Sequence, residues 1–128
     1  MEHSSIHLDT NYLVYFTNGG NEAAISQIES WLRGNHKLFV SAMAWAEFQC
    51  GSLSVREHDM AHDVIHGVLP VTLEIANRAG FLFQATGRRS RSLPDCMIAA
   101  TAISEGVPLA TMNQGDFLPF LPHGLILL

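Results

Sequence analysis

Five short apolar runs, each bounded by polar or turn residues, alternate along this chain with segments whose apolar side chains recur at helical spacing. The runs are residues 6–8, 38–40, 68–71, 109–111 and 125–128. Between them Ala24, Ile25, Ile28, Trp31 and Leu32 form one helical stripe, and Ile75, Ala76, Ala79, Leu82 and Phe83 form a second. Ala61, Val64, Ile65 and Val68 make a third, and Ile98, Ala99, Ala102 and Ile103 a fourth, where small alanines permit close helix–sheet packing. Strands that are apolar throughout must be covered on both faces, so the alternation predicts a three-layer α/β/α fold around a mostly parallel sheet of about five strands. In such sheets ligands bind beyond the carboxyl ends of the strands.

At 128 residues and 48% hydrophobic content the chain suits one domain, residues 1–128, able to bury a core without disulfide or structural metal. Cys50 and Cys96 stand in apolar surroundings and read as reduced core thiols of a cytoplasmic protein, with no signal peptide ahead of them. Every hydrophobic stretch is interrupted by polar residues well short of a membrane span. Seven Lys and Arg against twelve Asp and Glu give a net charge of -5, which argues against binding nucleic acid by global attraction. Positive charge is instead local, with Arg88, Arg89 and Arg91 within four positions.

Four carboxylates carry the chemistry. Asp9 directly follows the first run, where it can also cap the helical-looking segment after it. Glu47 is the only charged residue between Leu38 and Val55, so it must be paired, protonated or bound to a cation, a Glu–Arg pair being the structural alternative. Asp95 opens the helix that begins near Pro94, where Ser92 and Asp95 also match a capping box. Asp116 lies just past the fourth run. Three of these acids sit at the same ends of their elements, and several carboxylates cannot stay ionised side by side without a cation. An oxygen-only set points to a hard ion, Mg²⁺ or Mn²⁺, and hence to phosphate chemistry.

The segments Leu8-Asp9-Thr10-Asn11, Ser41 with Ala46-Glu47-Phe48 and Gly51, Asp95-Cys96-Met97-Ile98-Ala99-Ala100-Thr101-Ala102, and Leu109-Ala110-Thr111-Met112-Asn113-Gln114-Gly115-Asp116-Phe117 follow in an order that resembles the PIN-domain nucleases, specifically VapC-type toxin ribonucleases of toxin–antitoxin pairs. The resemblance spans nearly the whole chain. It implies that Asp9, Glu47, Asp95 and Asp116 form an acidic quartet. Asp9, Asp95 and Asp116 would contact the metal, Glu47 would orient water or hold a second ion, and Thr111 and Asn113 would support the site through hydrogen bonds. It also implies a cytoplasmic endoribonuclease leaving 5′-phosphate and 3′-hydroxyl ends, a homodimer, and a VapB-like antitoxin whose tail covers apolar surface near Trp45, Phe48 and Leu53. A PIN-like scaffold that binds RNA or protein without cleaving it is the alternative; the intact quartet argues against it.

Other readings fare worse. His58, His62 and His66 recur at i, i+4, i+8 and could bind zinc or nickel, but beside Asp59 and Asp63 they read as a solvated helix edge. A phosphorelay receiver would need a lysine at the acidic pocket, and Lys37 precedes the second run at the opposite edge. Neither dinucleotide nor P-loop glycine motif occurs. The Arg88, Arg89 and Arg91 loop, four residues before Asp95, is the candidate path for RNA phosphates.

Overall fold

The computed structural model describes residues 4–87 and 93–128. Four parallel strands, β1 (Ser5–Leu8), β2 (Lys37–Ser41), β3 (Gly67–Leu69) and β4 (Leu109–Ala110), lie in the order β3-β2-β1-β4. Between β1 and β2 run α1 (Thr10–Asn18) and α2 (Glu22–Arg33); α3 (Ala42–Gln49) and α4 (Val55–Val64) lead to β3. The chain continues through α5 (Leu73–Ala85) and α6 (Leu93–Glu105) to β4, then α7 (Gln114–Phe117) and a 3-10 helix, Leu118–His123. Helices covering the parallel sheet make the expected three-layer α/β/α fold.

The expected fifth strand is reduced to a single parallel bridge, Leu127 to Leu109. β4 itself is only two residues long, Leu109–Ala110, and one bridge is what it accommodates on that side. The third run also shifts. Ile65 leaves α4 in extended conformation and Val68 enters β3, so the stripe read through both crosses a helix-to-strand boundary. The segment around Glu47, which shows little amphipathic contrast, is α3, started by Ser41 accepting from the Ala44 amide.

The core explains the register. Leu8, Val40 and Leu109 are fully buried, as are Ala99, Ala100 and Ala102 of α6, whose small side chains let that helix lie close to its neighbours. Truncating Leu8 to Ala would cost about 2–5 kcal/mol, because the strand is packed on both faces. Turn chemistry directs the rest: Gly19 ends α1 in the left-handed region at φ 73°, and Asn35, rather than Gly34, takes that conformation between α2 and β2. Cys96 is buried as expected, whereas Cys50 is exposed at the end of α3, past the last residue that faces the core.

Candidate active site

Strand order decides where the site forms. The chain moves outward from β1 through β2 to β3 on one side, and returns to pair β4 on the other, so β1 ends where the direction of winding reverses. Such a point opens a crevice beyond the carboxyl ends of the strands. Leu8 pairs with Ala110, and the Asp9 amide donates to the Ala110 carbonyl at 2.9 Å, which sets Asp9 beside Thr111. On the other flank β2 ends at Ser41, whose cap starts the helix carrying Glu47.

Asp9 is buried, 6% exposed, and each of its oxygens is engaged. Oδ1 accepts from the Thr10 amide at 2.8 Å, and Oδ2 accepts from the Thr111 hydroxyl at 2.7 Å. Thr111 is itself held, because its Oγ1 accepts from the Asn113 amide at 3.0 Å. Asp9 is therefore both the cap of α1 and a site carboxylate, two roles the sequence left as alternatives. Glu47 is half-buried, and its partner is a hydroxyl rather than an arginine: Thr10 Oγ1 donates to Oε1 at 2.7 Å. Asp95 stands in the first turn of α6.

Asp9, Glu47, Asp95 and Asn113 line one open cavity of about 310 Å³, together with Thr10, Asn11, Val14 and Tyr15 of α1. Asp116 does not line it; it is exposed on α7, yet close enough for its charge to act on Asp9 and Asp95. Burial, then the charges of Asp9, Asp116 and Glu47, push the Asp95 carboxyl up to about 7. Burial likewise raises Asp9, opposed by its bonds from Thr111 and Thr10. A helix N-terminus favours a carboxylate by at most about 2 kcal/mol, and here desolvation and like charge outweigh it.

This donor set fits a hard divalent ion in chemistry: three carboxylates line the cavity, and among the described residues no Lys or Arg does. Among the described residues, no group of three or more His, Cys, Asp or Glu side chains forms a ready-made metal cage.

The sequence reading missed the roles of Thr10, Asn11 and Tyr15. Asn11 Oδ1 accepts from the Met112 amide at 3.4 Å, fastening α1 to the loop after β4. Helical spacing from Asp9 was the available signal, since Asn11 and Tyr15 are four apart on one face of α1. Arg88, Arg89, Arg91 and Ser92, with the RNA path and the capping box assigned to them, lie outside the described residues. Phe48 is fully buried and belongs to the core, so it cannot form part of an exposed docking surface.

A sequence model of the PIN domain matches residues 6–118. This chain belongs to the PIN-domain family. Among solved structures the PIN domain described here is similar to VapBC2 from Rickettsia felis bound to a DNA fragment from their promoter, with 23% identity, a TM-score of 0.74 and 97% of each chain covered. It is similar to a toxin–antitoxin complex from Klebsiella pneumoniae, with 27% identity and a TM-score of 0.71 over 88% of this chain and 90% of that one. FitAcB from Neisseria gonorrhoeae matches at 20% identity, a TM-score of 0.70 and 96% of each chain. No curated protein matches the chain. Among the described residues no helix is long and apolar enough to cross a membrane.

Proposed function

We propose that this PIN domain is a Mg²⁺- or Mn²⁺-dependent endoribonuclease and the toxin half of a toxin–antitoxin pair. The observation that carries the reading is three carboxylates, from β1's end, α3 and α6, lining one cavity to which, among the described residues, no Lys or Arg contributes. When bound, a hard divalent ion supplies charge neutralisation for the scissile phosphate and acidification of the attacking water. Asp9, Asp95 and Asp116 hold the ion, directly or through water. Glu47, steadied by Thr10, orients the water for in-line attack. Thr111 fixes the Asp9 carboxylate, and Asn113 is tied to Thr111 at the rim.

The antitoxin reading is supported by the toxin–antitoxin complex from Klebsiella pneumoniae, at 27% identity. For its tail the open cavity of about 360 Å³ between α3 and α4, lined by Gln49, Leu53, Val55 and His58, replaces the footprint that included Phe48. A homodimer has apolar surface to use: Phe81, 60% exposed on α5, contacts His123, near the exposed Leu118 and Leu121. The deciding experiment is cleavage of total RNA with mapped product ends. Wild type with Mg²⁺ should leave 5′-phosphates, and Asp9→Asn or Asp95→Asn should cut at least about 100-fold more slowly. Full cleavage by either variant, or in excess chelator, overturns the assignment.

A further inference from the structure

The histidine series read from the sequence as a solvated helix edge divides in the structure. His66 lies beyond α4 and packs on Phe39. His58 and His62 both lie within α4, one turn apart, with ring centroids 4.5 Å from each other. Both rings also pack against Trp45 of α3, at 6.0 and 5.1 Å. Among the described residues, neither imidazole makes a hydrogen bond or an ion pair beside these ring contacts.

We infer that His58 and His62 form a two-imidazole seat for a borderline divalent metal ion of the nickel or copper type. Two imidazoles one turn apart on a helix, with their rings in contact, can both donate to one ion, and such nitrogen sites hold nickel and copper more tightly than manganese, iron or cobalt. The seat is pre-organised. Ser54 and Glu57 close a full capping box at the start of α4, and the fully buried Ala61 anchors the same helix to the core. Asp59 and Asp63, beside the histidines on α4, add negative charge that favours a cation. Water completes the coordination.

This seat is separate from the carboxylate cavity in both position and chemistry. Trp45 and Glu47 are two residues apart on α3, about 200° around the helix, so the two sites use different faces. Nitrogen donors select borderline ions where the carboxylates select hard ones. An ion here would bind against the Trp45 ring, which makes tryptophan fluorescence the natural reporter; Trp31, the other tryptophan, is buried on α2 against Tyr12.

The test is titration of the full chain with Ni²⁺, followed by tryptophan quenching and calorimetry. A His3→Gln background removes the histidine nearest the chain's N-terminus from competition. Saturable quenching that persists in excess Mg²⁺ and in Asp9→Asn is expected. His62→Gln, at an exposed position, and His58→Gln should each raise the midpoint about tenfold or more while circular dichroism stays unchanged. Absence of quenching in the His3→Gln protein overturns the seat, as does an unchanged midpoint in both histidine variants. Loss of the response in Asp9→Asn with retention in His62→Gln would also overturn it, placing the ion among the carboxylates.

Discussion

His7 and Asp95 titrate in the same range with opposite consequences for stability. Burial lowers the His7 imidazole from 6.5 to about 4, so between those values the unfolded chain binds more protons than the native one. Stability from His7 is therefore lost as pH falls through that window, by about 3 kcal/mol in all. Asp95 is raised from 3.8 to about 7, so the native state binds more protons there and stability is lost as pH rises. In metal-free buffer, His7→Leu should make the slope of stability against pH more negative than wild type, and Asp95→Asn should make it more positive. Urea midpoints across the window check both, and parallel slopes would refute the assignment. His7→Leu also removes a buried Nδ1 that has no hydrogen-bond partner, so it should be tolerated at neutral pH.

The successive helices α3, which carries Glu47, and α4 depend on caps of unequal burial. Ser41, 2% exposed, accepts from the Ala44 amide at the start of α3, while exposed Ser54 does the same for α4 at the Glu57 amide. An amide orphaned at α4 can turn to water; the one at α3 cannot. Ser41→Ala should therefore cost about 2 kcal/mol and Ser54→Ala about 1 or less, measured by denaturant unfolding. The junction between β4 and α7 turns on a single hydroxyl, that of Thr111, bonded to both Asp9 and Asn113. Thr111→Val keeps the shape and should destabilise by about 1–3 kcal/mol while raising Asp9 further, and Thr111→Ser should restore most of the loss. Equal stability of the valine and serine variants would show that the hydroxyl carries nothing.

Across the whole molecule, the proposed ion binding and RNA approach would be coupled to folding through charge. If Asp95 holds the cation as proposed it must ionise to do so, and the rise in Tm produced by Mg²⁺ or Mn²⁺ should then grow as pH passes upward through about 7, and shrink in Asp95→Asn. A pH-independent shift would separate the ion from Asp95. With a net charge of -5 the chain repels RNA at long range, so binding requires local positive charge. Replacing Arg88, Arg89 and Arg91 with alanine should weaken RNA binding and flatten its salt dependence by roughly 0.7 log unit per lost phosphate contact. Filter binding across a salt series measures this, and an unchanged slope moves the RNA path elsewhere.

Alternating apolar runs and helical stripes were enough to read the α/β/α class, because burial on both faces leaves a strand no polar positions and a covering helix one apolar face. Among the acids Glu47 stands out in sequence because it lies in an uncharged stretch, whereas Asp9, Asp95 and Asp116 each also suit a cap or a turn and gain weight only from their shared place at the ends of elements. What linear order could not convey was pairing. That Thr10 serves Glu47 across 37 positions, and Thr111 serves Asp9 across 102, depends on β1 lying between β2 and β4. The same holds for the histidines, whose equal spacing in sequence ends where Ile65 turns extended, leaving His58 and His62 on Trp45 and sending His66 to Phe39. Periodicity is a property of local backbone and is written along the chain; the convergence of side chains from separate strands and helices arises only when the sheet order brings them to one edge.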